Sequence, residues 1–336
     1  MKHLLKLPLC ALAFAMTANT GFAQSSATGL KDAYKDYFSI GVAVNMQNIT
    51  NPEQIAIIKK DFNSITAEND MKPQPTEPAY GQFNWENADK IANFCRSNGI
   101  KLRGHCLMWH AQIGKWMYQD EKGNLVSKEK LFQNMKHHIT AIMERYKDVV
   151  YAWDVVNEAI SDGGRPVMGQ KPSPYRNSPL YQIAGDEFIK KAFIYAREAD
   201  PNVLLFYNDY NAADPQKRDR IYNMVKSMKE EGVPIDGIGM QGHYNIYGPS
   251  MEDVDAALTK YSTIVKHIHI TGLDIRANEE MGGHLNFSRE AGDISQTVKL
   301  LQEDQYTRLF KILRKHKDVV DNVTFWNLSD RDSWVG

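Results

Sequence analysis

Polar side chains of a few recurring types follow the short apolar runs that are spread along this chain. They are carboxamides, imidazoles, carboxylates, a lysine and indoles, and together they suit a neutral ligand rich in hydroxyl groups. Amides and imidazoles hydrogen-bond hydroxyls, while the flat face of an indole stacks on a pyranose ring. The candidate binding residues are Glu68, Asn69, Lys72, His105, Trp109, Gln112, Asn157, Tyr210, Gln241, His243, Trp326 and Trp334.

One carboxylate in this series is well placed to act as an acid. Cleavage of a glycosidic bond needs two carboxyl groups, one as general acid and the other as nucleophile or base. Glu158 ends the run VVYAWDVVNE and is the candidate acid. A facing strand should supply the second carboxylate, but the corresponding position in HIHITGLDI is Gly272. Asp274 is a poor substitute, because two residues along a strand displace it by roughly 6–7 Å.

Each of these residues could instead have a structural role and bind no ligand. A single histidine on a strand is more often a core residue than a ligand, and a single tryptophan more often packs. His267 and His269 share a strand face but precede the strand end and lack carboxylate neighbours, so we expect no metal there. His137 and His138 fall within a predicted helix, and we expect them on the surface. The number of such side chains at corresponding positions favours a binding site.

The elements that must position these groups alternate between two types. Eight runs rich in β-branched and aromatic residues are separated by segments with the 3–4 apolar spacing of a one-sided helix. This pattern predicts a (β/α)8 TIM barrel with its site at the C-terminal ends of the strands. An open doubly wound sheet is the alternative, but no GxGxxG or GxxxxGK[ST] motif follows any run. The runs are FSIGVAV (38–44), FNSITAEN (62–69), KLRGHCLMW (101–109), VVYAWDVVNE (149–158), VLLFYNDY (203–210), DGIGMQGH (236–243), HIHITGLDI (267–275) and NVTFWNLSD (322–330).

Two segments mark the limits of this regular pattern. Glycine and proline crowd residues 161–181, which predicts one long loop after the fourth strand. The eighth run ends only six residues before the last residue, Gly336. We therefore expect a barrel that lacks its last outer helix.

The N-terminal residues have the features of an export signal. Lys2 and Lys6 precede an apolar run, and Gly21-Phe22-Ala23 resembles a cleavage site. The run is too short to span a membrane. We predict a signal peptide over residues 1–23 and a periplasmic or secreted protein. Cys10 raises the possibility of a lipid anchor, but the residue before it is not small, which favours the plain signal.

Composition bounds what the remaining residues, 24–336, can be. Over all 336 residues, the 40 basic and 41 acidic ones nearly balance, which argues against a nucleic-acid partner. Cys95 and Cys106 are too few for a disulfide framework, so an apolar core must hold this single predicted domain together.

Seven segments together resemble the motif series of glycoside hydrolase family 10, the retaining endo-β-1,4-xylanases. The resemblance runs from about residue 30 to residue 336 and implies a (β/α)8 barrel acting on xylan and xylo-oligosaccharides. We expect no cofactor, no metal, no membrane span and a monomeric chain. The segments are TAEND (66–70), GHCLMWHAQ (104–112), WDVVNEA (153–159), FYNDYN (206–211), GIGMQGH (237–243), TGLDI (271–275) and the run from Trp326 to Trp334.

The resemblance also implies a role for each matching residue. Glu158 corresponds to the general acid/base, with Asn157 at the sugar 2-hydroxyl and a non-proline cis peptide after His105. Tyr210 corresponds to a stacking residue on the aglycone side, and Asp274 orients His243. Glu68, Asn69 and Lys72 correspond to the glycone side. The residues implied around the central subsites or the nucleophile are Trp109, Gln112, Gln241, His243, Trp326 and Trp334.

The pattern breaks at one position. The family motif on the seventh strand is Thr-Glu-Leu-Asp with the Glu as nucleophile, whereas this chain has Thr271-Gly272-Leu273-Asp274. Because the surrounding motifs are intact, we interpret Gly272 as a deliberate loss of the nucleophile, which predicts almost no hydrolysis and allows glycosynthase-type use. The alternatives are a non-catalytic xylan-binding pseudoenzyme and a metal-dependent hydrolase that uses His105, His243 and Asp274.

Overall fold

The structure, a computed structural model, describes residues 28–163, 173–277 and 295–334. The predicted signal peptide and the chain end at Val335 and Gly336 lie outside the described residues, so the expected lack of a last helix stays a prediction. The strands are β1 (Ser39–Val44), β2 (Ser64–Ala67), β3 (Lys101–Trp109), β4 (Val150–Asn157), β5 (Leu204–Asp209), β6 (Gly237–Met240), β7 (His243–Asn245), β8 (His267–Arg276) and β9 (Val320–Phe325).

Eight of these strands form a closed parallel barrel. Neighbours pair in the order β6-β5-β4-β3-β2-β1-β9-β8, and pairing between β6 and β8 closes the ring. The short β7 extends the line of β6 and pairs with the far end of β8. The predicted (β/α)8 barrel is confirmed. The sixth predicted run is divided into β6 and β7 at Gly242, where φ is +75°.

Helices separate successive barrel strands and cover the outside of the ring. Local signals begin and end them: the Asn51 side chain accepts the backbone N–H groups of Glu53 and Gln54, and Gly99 ends a helix in the left-handed region. Among the described residues, no helix has the length and apolar character needed to cross a bilayer. The helices are α1 (Leu30–Ala33), α2 (Pro52–Asp61), α3 (Pro73–Thr76), α4 (Glu86–Asn98), α5 (Lys128–Tyr146), α6 (Pro179–Ala184), α7 (Glu187–Ala199), α8 (Pro215–Glu230), α9 (Met251–Tyr261) and α10 (Gln296–Lys315).

The predicted loop over 161–181 needs one correction. Helix α6 begins at Pro179, because Ser178 caps it by accepting the backbone N–H of Tyr181 and proline suits a first helical position. Residues 164–172 lie outside the described part of the chain.

The barrel strands are buried on both faces, because one face lines the interior and the other packs under the helices. A polar group crosses this interior: the Arg103 guanidinium forms two hydrogen bonds to Asp154, at 2.6 and 2.5 Å, and a third to His269 at 3.1 Å. All three side chains are buried. His269 is therefore a packed core residue, which is the more common role of a histidine on a strand.

Two expectations about histidines were wrong. His138 is buried, not on the surface, because the turn after α3 packs on α5 and brings the Glu77 carboxylate 2.8 Å from its Nδ1. His267 does have a carboxylate neighbour, since its Nδ1 hydrogen-bonds Asp321. Within residues 28–163, 173–277 and 295–334 the structure has no cluster of three or more potential metal ligands.

Candidate active site

Residues from seven strands meet at the C-terminal rim of the barrel, where parallel barrels carry their sites. Glu158 directly follows β4 and is the best-defined of them. The Trp109 indole Nε1 donates to its Oε2 at 2.8 Å, and the Gln241 amide Nε2 donates to its Oε1 at 2.9 Å. Its φ of +59° is unusual for a residue with a side chain. Groups from β3 and the end of β6 thus hold both carboxylate oxygens in place.

A chain of amides lies beside this carboxylate. Gln241 Nε2 also donates to Asn157 Oδ1 at 3.1 Å, and Asn208 Nδ2 donates to the same oxygen at 2.9 Å. The Thr271 hydroxyl donates to Asn208 Oδ1 at 2.6 Å. Because both lone pairs of the Asn157 oxygen are used, this amide has one orientation.

Gly272 lies across this network on β8, at an irregularity of the strand. Ile270 pairs with Val323 and Leu273 with Phe325, so β8 uses one extra residue, as in a bulge. A Cβ atom at position 272 would lie 3.1 Å from the Trp326 ring, 3.3 Å from the His243 ring and 3.4 Å from the Gln241 carbonyl oxygen. A side chain at this position would therefore point into the site, next to the residue that holds Glu158.

The carboxylate of Asp274 is engaged elsewhere. Its Oδ2 lies 2.8 Å from His243 Nδ1 and accepts the Trp334 indole N–H at 2.9 Å. The Trp334 ring in turn packs edge-on against His243, with 4.9 Å between centroids. These contacts hold the Asp274 carboxylate against His243 and Trp334.

Lys72 is a buried cation beside the Trp109 indole. Lys72 Nζ donates to Asn69 Oδ1 at 2.8 Å and lies 5.0 Å from the centroid of the Trp109 ring. Burial lowers the pKa of Lys72, partly offset by the charges around it. Glu68, which follows β2, is partly buried.

His105 is oriented from below by the interior ion pair. Its Nδ1 lies 2.8 Å from Asp154 Oδ2, and its ring meets Trp326 edge-on at 5.6 Å. Burial would raise the pKa of Asp154, but the Arg103 charge and the hydrogen bonds of Arg103 and His105 bring it to about 2. An ionised carboxylate only accepts hydrogen bonds, so His105 Nδ1 carries the proton. Burial lowers the pKa of His105, and the peptide bond after it is cis.

The family model of glycosyl hydrolase family 10 matches residues 29–336, a range that contains every strand of the barrel. The chain belongs to this family.

Three relatives of this chain carry endo-1,4-beta-xylanase in their names. It is 58% identical, over its whole length, to an endo-1,4-beta-xylanase/feruloyl esterase of Xylanibacter ruminicola, and covers 48% of that protein. It is 44% identical to endo-1,4-beta-xylanase A of Thermotoga neapolitana, with 91% of this chain and 28% of that protein covered. The chain thus spans half or less of the length of these two relatives. The endo-1,4-beta-xylanase B of Paenibacillus barcinonensis is 38% identical, with 91% and 88% covered.

Two solved structures of xylanases are similar to this chain. A psychrophilic glycoside hydrolase family 10 endo-beta-1,4-xylanase is 68% identical, with a TM-score of 0.87 and 92% of both chains covered. A xylanase from Paenibacillus barcinonensis, solved with a conduramine derivative, is 37% identical with a TM-score of 0.84, covering 93% of this chain and 90% of that one.

The remaining candidates line the rim of this family 10 barrel at separate places. Gln112 adopts a φ of +44° after β3, and its carbonyl oxygen accepts the Gln74 N–H at 2.8 Å. Tyr210 follows β5, and Arg176 donates to its hydroxyl at 2.7 Å. Trp326 follows β9 and covers position 272.

Sequence reasoning missed several residues that support this site. Arg103 and Asp154 form the ion pair beneath His105, and simple strand alternation could not have found Asp154, because an irregularity of β4 between Asp154 and Val156 interrupts it. Asp162 and Lys217 surround Tyr210. No sequence pattern singles them out, because charged residues in a loop and in a helical first turn are ordinarily solvated.

Proposed function

We propose that this chain is a retaining endo-1,4-β-xylanase barrel that binds xylan and xylo-oligosaccharides, and that its hydrolytic step is disabled at position 272. The observation that carries the proposal is the direction of the missing side chain. A Cβ at Gly272 would lie 3.4 Å from the backbone carbonyl oxygen of Gln241, the residue whose side-chain amide donates to the Glu158 carboxylate. The names of the relatives and solved structures support the substrate class.

The chemistry of retention explains why this one position matters. In a retaining glycosidase one carboxyl group donates a proton to the leaving oxygen, while a second attacks the anomeric carbon from the other face. Glu158 supplies the first group. With no carboxylate at position 272 the glycosyl-enzyme cannot form, and Asp274 is held by His243 and Trp334.

Restoring the carboxylate tests this assignment. The Gly272→Glu variant should raise kcat/KM on xylan by at least about 10³-fold over the parent. Gly272→Gln is the matched control, because it meets the same contacts with Trp326 and His243 but brings no carboxylate. A Gly272→Glu variant that binds xylohexaose but remains as inactive as Gly272→Gln would favour the non-catalytic binding protein instead.

The parent chain should also catalyse transfer from an activated donor. With α-xylobiosyl fluoride, the acceptor hydroxyl oxygen attacks the anomeric carbon, the carbon–fluorine bond breaks, and fluoride leaves through the space at Gly272. Glu158 takes the proton of the acceptor hydroxyl as general base. The β-1,4-linked product should accumulate, because no nucleophile is present to cleave it. Mass spectrometry with a xylobiose acceptor should detect longer xylo-oligosaccharides from the parent, and Glu158→Ala should abolish them.

We further propose that residues 1–23 direct export and are removed after Ala23, and that the mature protein is a monomer. The basic and apolar start of the sequence supports the first statement. N-terminal sequencing of protein recovered from an expressing culture tests cleavage, and light scattering tests the molecular mass. A start at any residue before Gln24 would contradict the predicted processing.

A further inference from the structure

Lys217 is a buried cation next to the candidate aglycone residue. It lies in the first turn of α8, and its side chain is 1% exposed. Its Nζ is 2.9 Å from Asp209 Oδ1, 2.7 Å from Asp162 Oδ1 and 3.4 Å from the centroid of the Tyr210 ring. Two carboxylates thus hold an ammonium group against the face of this ring, within cation–π distance.

The hydroxyl end of the same ring is also held. The Tyr210 hydroxyl donates to Asp162 Oδ2 and accepts from the Arg176 guanidinium at 2.7 Å. Arg176 Nε in turn donates to the backbone carbonyl oxygen of Glu158 at 2.9 Å. The phenol therefore has a donor bond and an acceptor bond in fixed directions, and the group that fixes it also contacts the backbone of the candidate acid.

The backbone of Tyr210 is tied into the same cluster. Its N–H donates to Asp209 Oδ1 at 2.9 Å, and the other oxygen of Asp209 accepts the Tyr207 hydroxyl. Burial raises the pKa of Asp209 to about 6 even though Lys217 opposes this. Two cations balance two carboxylates here, so each cation compensates a charge that burial would otherwise penalise.

We propose that Lys217, Asp162 and Arg176 form a clamp that fixes the ring of Tyr210, and that they are positioning residues for the sugar on the aglycone side of the cleaved bond. The aglycone part rests on the proposed function. It implies that the clamp affects substrates with sugars beyond the cleavage point and has little influence on substrates without them.

The clamp is best perturbed at Asp162. Each of its two oxygens accepts one hydrogen bond, from Lys217 and from the Tyr210 hydroxyl, so Asp162→Asn leaves one of these donors without an oxygen. The side chain is 43% exposed, and folding should tolerate the change. Lys217→Met is the second variant, although it leaves Asp209 buried without its counterion. Asp219→Asn is the matched control, because Asp219 is 52% exposed and pairs with Lys260 outside the clamp.

The position of the ring can be measured without any activity. In parent protein labelled with 3-fluorotyrosine, the resonance of Tyr210 is assigned from its loss in Tyr210→Phe. Asp162→Asn should shift or broaden this ¹⁹F resonance, whereas Asp219→Asn should leave it in place. An unchanged resonance in both Asp162→Asn and Lys217→Met overturns the clamp.

Kinetics in the Gly272→Glu background test the aglycone role. Xylotetraose cleaved at its centre has two aglycone sugars, and β-xylobiosyl fluoride has none. Asp162→Asn should lower kcat/KM for xylotetraose about 10-fold, mostly through KM, and lower that for the fluoride less than twofold. Equal losses on both substrates, or no loss on xylotetraose, would overturn the aglycone role. If the Gly272→Glu parent cleaves neither substrate, the proposed function fails, and the fluorine measurement alone decides the clamp.

Discussion

Asp209 should make the stability of this protein depend on pH in an unusual direction. Its carboxyl group is fully buried, and burial raises its pKa from 3.8 to about 6 in the folded protein. A raised pKa means that the folded state binds the proton more tightly than the unfolded state. The contribution of Asp209 to stability is therefore fully present below pH 3.8 and is lost as the pH rises through 6.

The size of the effect follows from the shift. The rise of its pKa from 3.8 to about 6 corresponds to about 3 kcal/mol over the whole range, and to about 1 kcal/mol between pH 7 and pH 5. Asp209→Asn removes the titration but keeps an oxygen for the Tyr210 N–H and an amide facing the Tyr207 hydroxyl. Asp154, with a pKa of about 2, acts in the opposite direction, but its window lies below pH 3.8.

Urea unfolding followed by tryptophan fluorescence at pH 5, 6 and 7 measures this difference. The free energy of unfolding of the parent should rise by about 1 kcal/mol from pH 7 to pH 5 relative to Asp209→Asn. Asp219 is an exposed carboxylate outside the cluster, so Asp219→Asn should keep the pH dependence of the parent's stability in this window. Parallel pH profiles for the parent and Asp209→Asn would show that Asp209 titrates normally and refute the reasoning.

Three further changes have defined outcomes. Gly104→Ala would bring a Cβ within 2.2 Å of the buried Trp153 ring, and urea unfolding should show a loss of about 1–3 kcal/mol in the free energy of unfolding. An unchanged free energy would mean that the ring moves aside without cost. Asn51→Ala removes the cap of α2 and should cost about 1 kcal/mol by the same assay; an unchanged midpoint would mean that water replaces the cap. Trp109→Phe, in the Gly272→Glu background, removes the indole donor to Glu158 and should lower kcat on β-xylobiosyl fluoride about 10-fold, an effect that Trp116→Phe should not reproduce.

The strands and their order could be predicted because each is buried on both faces and reads as an apolar run. The run predicted for β3 matches the observed strand from Lys101 to Trp109. The break at Gly242 could not be foreseen, since it depends on a positive φ rather than on a loss of hydrophobicity. His138 was misplaced because its partner, Glu77, comes from a distant turn.

The residues of the candidate site could likewise be predicted only in part. Residues at strand ends, such as Glu158 and Gln241, were found because barrel topology brings strand ends to one rim. The direction of position 272 and the contacts of Lys217 needed the structure, because a bulge and a buried ion cluster arise only from packing between elements.

Closure of the ring has a consequence for the order of folding events. β1 pairs with β9, so Ser39 lies beside Asn322 and strands from opposite ends of the barrel sequence must meet. Contacts so distant in sequence are costly in chain entropy and tend to form late. Trp326, which covers position 272, follows β9 directly, so this wall of the candidate site forms only when the last barrel strand is in place. Under the proposed function, xylo-oligosaccharide binding should therefore appear abruptly once β9 is present, and chains truncated before β9 should bind none.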